Sequence, residues 1–164
     1  MIPIVSIVGK SDSGKTTLLE KLVKELKNRG YRVGTIKHDA HSFEIDHEGK
    51  DSWRHKKAGA AVSIISSAEK IGIVMDCDHD HTLSELRDKL VRDVDIILSE
   101  GYKREVHPKI EVYRSERRQE MLCGSDDNLL AIAGDPENPP VGTPVFDLND
   151  PVSICNFVED KFLK

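Results

Sequence analysis

Apolar residues fall into short runs along the chain, separated by stretches whose apolar positions recur at helical spacing. Pro3–Val8 is apolar apart from Ser6, which predicts a buried strand. From Thr16 to Arg29 the period changes: Leu18, Leu19, Leu22, Val23 and Leu26 share one helical face, Lys and Glu occupy the other, and Gly30 ends the helix. Tyr31–Lys37 predicts a second strand. His38–Gly49 is a polar loop, too long for a mere connector in a compact domain. Asp51–Ala58 reads as a short helix capped by Asp51, and Ala61–Ser66 with Lys70–Met75 as a hairpin. Thr82 and Glu85 form a capping-box pattern for a helix reaching Val91. Val94–Ser99 follows as a central strand, and Lys109–Arg114, Leu129–Ala133 and Val145–Asp147 as further strands. Pro151 opens a C-terminal helix carrying Ile154, Phe157, Val158 and Phe162 on its apolar face. Strands alternating with helices predict an α/β fold, a mostly parallel sheet flanked by helices with a small hairpin extension. A chain of 164 residues fits one domain.

Composition narrows the class. Hydrophobic residues make up 38% and charged residues 32%, so the surface is heavily charged while the apolar runs still suffice for a core. A net charge of −5 argues against binding to nucleic-acid polymers or anionic membranes, which select for Lys and Arg. The longest apolar stretches are strand-sized, and the N-terminal residues lack the basic region and cleavage site of a signal peptide, so a cytoplasmic location is expected. Three widely spaced cysteines, Cys77, Cys123 and Cys155, fit free thiols in a reducing compartment.

The strongest chemical signal is Gly9-Lys10-Ser11-Asp12-Ser13-Gly14-Lys15-Thr16, a Gly-x4-Gly-Lys-Ser/Thr loop between a predicted strand and a predicted helix. At average residue usage its fixed positions would match by accident on the order of once in a hundred chains of this size or fewer. Gly9 and Gly14 allow the backbone to turn its N–H groups toward a phosphate, and the helix N-terminus adds partial positive charge. Lys15 is expected to reach the terminal phosphates and Thr16 to offer its hydroxyl to Mg²⁺, with Ser13 and Thr17 completing the phosphate-binding set. Lys10 reads as a solvated loop lysine. A magnesium site needs a carboxylate nearby. Glu100 supplies one at the carboxyl end of the strand Val94–Ser99, where ligands bind in open α/β sheets, whereas Asp95 opens that strand at the opposite edge. Lys15 and Glu100 are therefore the candidate catalytic pair, and Thr16 and Glu100 the candidate metal ligands. The bland alternative for Glu100 is a solvated strand end.

The loop is followed by Val33-Gly34-Thr35-Ile36-Lys37-His38, by Asp51-Ser52-Trp53-Arg54-His55-Lys56-Lys57-Ala58-Gly59-Ala60, and by Glu100-Gly101-Tyr102-Lys103. This ordered set resembles the molybdopterin-guanine dinucleotide biosynthesis adaptor family, MobB, over roughly Ile4 to Arg114. The resemblance implies a dimeric P-loop GTP-binding protein, a weak GTPase at most, that assists a molybdenum cofactor guanylyltransferase in attaching GMP to molybdopterin. It also implies that Lys37 and His38 lie near the phosphates, that Asp39–Asp51 is a mobile segment, and that Arg54 and His55 face the nucleotide or the partner. Lys56, Lys57, Lys103, Arg104, His107 and Lys109 join these as an expected basic surface around strand ends, suited to a polyphosphate.

Guanine specificity calls for a separate residue, because the Asn-Lys-x-Asp signature of many GTPases is absent. A carboxylate accepts from both N1–H and the 2-amino group of guanine, and Asp135, after a late strand, is the candidate; the alternative is a turn residue before Pro136. Two other functions share parts of this pattern. A P-loop small-molecule kinase would need an Arg-rich lid, and His38–Gly49 contains no Arg. A GTPase delivering a metal such as nickel is motivated by the seven histidines. Asp76-Cys77-Asp78-His79-Asp80-His81 has metal-ligand composition, but neighbours in a turn rarely point at one ion, so it reads as a polar loop. His41 and His47 read as solvated.

Overall fold

The computed structural model describes residues 1–39, 43–117, 120–124 and 127–164, arranged as two compact units. The first comprises Met1–His38 and Thr82–Lys164, the second Asp39–His81.

The first unit is built on strand β1 (Ile4–Val8), buried along its whole length. It lies between β5 (Ile96–Glu100) and β6 (Lys109–Tyr113), both parallel to it. With β2 (Val33–Lys37), β7 (Leu129–Gly134) and β8 (Val145–Phe146), these give a six-stranded parallel sheet in the order β2-β5-β1-β6-β7-β8. Burial on both faces accounts for the nearly continuous apolar runs of β1 and β5. Their two interior hydroxyls satisfy each other, Ser6 Oγ and Ser99 Oγ lying 2.8 Å apart. On one face Val5, Ile7, Ile96, Leu98, Ile110 and Val112 pack against helices α1 (Lys15–Asn28) and α4 (Pro151–Phe162), which contribute Leu18, Leu22, Leu26, Ile154, Cys155 and Val158. On the other face Ile4 and Ile97 meet Leu83 of helix α3 (Leu83–Leu90). Arg29 ties α1 to α4, pairing with Glu25 at 2.9 Å and Glu159 at 2.7 Å.

Helix ends follow the local chemistry. The Thr82–Glu85 capping box forms in full, and Asp150 accepts from Ser153 N–H ahead of Pro151. Gly30, at φ +94°, takes up the left-handed turn that closes α1. The strand expected at Val94–Ser99 begins later and ends one residue further on, with Glu100 inside it. Asp95 is drawn away by Arg32, whose backbone N–H donates to Asp95 Oδ2 at 2.7 Å.

In the second unit, helix α2 (Asp51–Lys57) packs on a hairpin of β3 (Val62–Ser66) and β4 (Ile71–Met75), paired antiparallel. Asp51 is not the cap. Lys50 holds the extended N-cap position without a side-chain bond, and Asp51 is the first helical residue, where its charge faces the helix dipole instead. Ser63 is buried toward Ser52, whereas Val62, Ile64, Ile71, Ile73 and Met75, sharing the opposite face by register, are exposed.

Leu22, only 1% exposed, fills the layer between β-sheet and α4. Leu22→Ala should cost about 2–5 kcal/mol, measured as a lower urea midpoint with an unchanged slope.

Candidate functional site

The chain leaves β1 at Val8 and enters α1 at Lys15, and the turn between them is a compact loop at the carboxyl end of the sheet. Gly9 is at φ +150°, where an added Cβ would lie 2.6 Å from Val112 O and 2.7 Å from Ser13 Oγ, so no side chain fits. Gly14, at φ +100°, occupies the N-cap of α1 and leaves the helix N–H groups without a side-chain cap. Lys15 curls over the loop and donates to Lys10 O at 2.7 Å. Burial holds its ammonium below the usual lysine range, against the opposing pull of Glu100 and Asp12. Ser13 Oγ is buried with no hydrogen-bond partner among the described residues. An orphaned hydroxyl in a loop of inward-turned glycines matches what an anionic oxygen would satisfy.

Parallel pairing places Glu100 beside this loop, because β5 is the immediate neighbour of β1 and Ile7 is in register with Glu100. Thr16 Oγ1 donates to both Glu100 oxygens, at 2.9 and 3.0 Å. On the other side β2 sets Lys37 opposite Glu100, with Nζ 3.8 Å from Oε1. His38 continues the ladder, its N–H donating to Glu100 O at 3.0 Å, and its ring lies 4.8 Å from that of Tyr102. Lys15, Thr16, Lys37, His38 and Glu100 thus meet at adjoining strand ends. A hydroxyl beside a carboxylate is a hard oxygen donor set, which fits Mg²⁺. Thr17, the second residue after the loop lysine, is exposed on α1.

Beyond β6 lies a cavity of about 460 Å³ lined in part by Tyr113, Arg114, Asp135, Asp147, Leu148 and Asn149. Asp135 accepts from Ser115 N–H at 2.9 Å and from Ser115 Oγ at 2.6 Å, and these bonds hold its carboxyl below the usual range.

The family model described as "Molybdopterin guanine dinucleotide synthesis protein B", MobB, matches residues 4–135. The chain belongs to the MobB family. It is 40% identical over 162 residues to the molybdopterin-guanine dinucleotide biosynthesis adapter protein of Haemophilus influenzae, covering 97% of this chain and 89% of that protein. The Escherichia coli adapter protein is 36% identical over 165 residues, covering 96% and 92% respectively. Among solved structures, MobB of Bacillus subtilis superposes with a TM-score of 0.77 at 30% identity, covering 98% of each chain. The likeness therefore runs past Arg114, where the residue motifs fade, through the strands that wall the cavity.

This MobB-family chain departs from the expected basic surface at three residues. Lys109 starts β6, at the end of that strand away from the loop, is 2% exposed, and donates to Asp127 O at 2.7 Å. His107 sits just before it, half-buried near Ser84, where burial lowers its pKa. Lys56 donates to Ala60 O, Ala61 O and Asp76 within its own unit. A basic residue in the sequence does not reveal which end of a strand it occupies; Lys109 and Lys56 serve local acceptors, and His107 contacts Ser84. Arg54 and His55 are exposed residues of α2. His41 lies outside the described residues.

Arg114 is the site residue that motif reading misses, since the sequence marks it only as the last residue of a strand. Its Nε donates to Ser13 O at 2.9 Å, pinning the loop to the end of β6. The available signal was its position one residue beyond the apolar run of a strand neighbouring β1. Removing a charged donor from this half-exposed contact should cost about 1 kcal/mol locally. Arg114→Ala should therefore speed amide exchange of the loop about fivefold while β1 stays protected, as read by hydrogen-exchange mass spectrometry.

Proposed function

We propose that this protein is a GTP-binding adaptor that acts with a guanylyltransferase in attaching GMP to molybdopterin. The observation that carries the reading is the joining of Lys15, Thr16 and Glu100 at one strand end, in a chain whose relatives are named molybdopterin-guanine dinucleotide biosynthesis adapter proteins.

Gly9, Ser13, Gly14 and the first turn of α1, including Thr17, hold the β-phosphate by backbone N–H groups and the free Ser13 hydroxyl. Lys15 exchanges the Lys10 carbonyl for a phosphate oxygen. Thr16 and Glu100 would hold Mg²⁺, whose charge would offset that of the phosphates. Lys37 and His38 border the same position and add positive charge on the side of β2. The base occupies the cavity beyond β6, where each Asp135 oxygen retains a lone pair after accepting from Ser115 and can take the N1–H and 2-amino donors of guanine. Any hydrolysis is slow, and the product of binding is an assembly of two proteins and their ligands. The exposed apolar face of β3 and β4 supports a homodimer, since a second copy would bury Val62, Ile64, Ile71, Ile73 and Met75. Among the described residues no helix is long and apolar enough to cross a membrane.

Calorimetry with a non-hydrolysable GTP analogue tests the nucleotide site. Lys15→Ala should weaken binding by tenfold or more, roughly the loss of one charge-assisted bond. Glu100→Gln should weaken binding in Mg²⁺ but much less in EDTA, and equal losses in both would assign Glu100 a structural role. A matched ATP analogue binding as tightly as GTP would remove the guanine assignment.

Reconstitution tests the role. Alone, the protein should turn over GTP far below a typical enzymatic rate of about 10 per second. With a molybdopterin guanylyltransferase it should increase the formation of the guanine dinucleotide. Rapid phosphoryl transfer to a small acceptor by this chain alone would replace the adaptor reading with that of a kinase.

A further inference from the structure

The segment after β4 was expected to be a polar loop whose side chains point apart. Instead, ligand atoms of Asp78, His79 and His81 all lie within 4.8 Å of one another. Asp78 Oδ1 is 2.5 Å from His79 Nδ1, and His79 Nε2 is 2.7 Å from His81 Nδ1, with the two rings edge-on at 4.1 Å. The alternation His79-Asp80-His81 puts the imidazoles two residues apart, and the turn folds both toward one point.

An aspartate ionised at neutral pH can only accept, so His79 Nδ1 carries the proton in its contact with Asp78. Where His79 is neutral, its Nε2 lone pair faces His81 and the proton between the rings is carried by His81 Nδ1. A carboxylate that fixes one ring tautomer while the other nitrogen faces outward is the arrangement that orients histidine ligands on metals. A metal ion placed between the rings would displace the proton they share, and each nitrogen would then turn its lone pair to the ion. The rings need only move from 2.7 Å to about 3.3 Å apart to span a tetrahedral ion with nitrogen ligands at about 2.0–2.1 Å.

We propose that His79 Nε2 and His81 Nδ1, oriented by Asp78, form a binding site for a borderline divalent transition metal of the zinc type. Imidazole donors suit Zn²⁺, Ni²⁺ or Cu²⁺ and not Mg²⁺, which separates this site from the all-oxygen pair Thr16 and Glu100. His79 is exposed and His81 half-buried, so the ion keeps coordination positions open to water or to an added ligand. The inference does not depend on the nucleotide reading, because its residues lie wholly within the second unit.

Zn²⁺ titration of the full chain in excess Mg²⁺ tests it, by calorimetry and by the imidazole NMR signals of the unsubstituted protein. One ion per chain should bind, shifting the His79 and His81 ring resonances first. The double variant His79→Gln/His81→Gln, with an unchanged metal-free melting temperature, should lose that binding at least tenfold, and Asp78→Asn should weaken it about tenfold through lost ring orientation. Absence of Zn²⁺ binding, equal binding by the folded double variant, or first shifts at other histidines would each overturn the proposal. If the double variant does not fold, the ring shifts of the unsubstituted protein decide alone.

Discussion

Burial of β1 on both faces is the constraint from which the first unit is organised. A strand covered by α1 and α4 on one side and by α3 on the other cannot shift register by one residue without moving polar Ser6 out of its pairing with Ser99. Once β1 is fixed, the chain must emerge at Val8 between the ends of β5 and β6. Glu100 and Arg114 stand at those ends, and each grips the emerging loop, one through Thr16 and the other through Ser13 O. The chemical residues inherit their positions from the hydrophobic core beneath them.

That dependence explains what could be read from residue order. Periodicity located the sheet and helices because parallel strands buried on both faces write continuous apolar runs, and α1 writes its face plainly in Leu18, Leu22 and Leu26. The loop Gly9–Thr16 and the acid at Glu100 were legible because backbone geometry and strand ends restrict the residue types there. The capping box of α3 was legible for the same reason. Contacts made across long sequence separations were not. Arg114 looked like the last residue of a strand, since its acceptor is a carbonyl 101 positions away. Lys109 and His107 looked like members of a basic surface, although the direction of β6 carries them to the other edge. The convergence of Asp78, His79 and His81 depends on the torsions of a single turn, which composition does not encode.

The second unit shows a different balance. Its hairpin register is set by alternate burial of Ser63 against α2, and Lys56 ties the hairpin's two outer ends through Ala60 O, Ala61 O and Asp76. These polar ties leave the other face of the hairpin apolar and uncovered by its own unit, a state that monomeric surfaces seldom maintain over a contiguous patch. The acidic, charge-rich composition of the whole chain opposes indiscriminate association through such a face.

The bond from Lys15 to the Lys10 carbonyl has a kinetic consequence. A loop whose lysine already closes on its own backbone is shaped before any anion arrives, so capture requires no ordering of the main chain. A neutral carbonyl is also a weaker acceptor than a phosphate oxygen, whose charge-assisted bond is roughly twice as strong. Under the proposed nucleotide reading the exchange would run downhill through rotation of one side chain, a motion completed within about nanoseconds. Collision frequency, rather than loop rearrangement, would then set the pace at which this loop engages the nucleotide proposed for it.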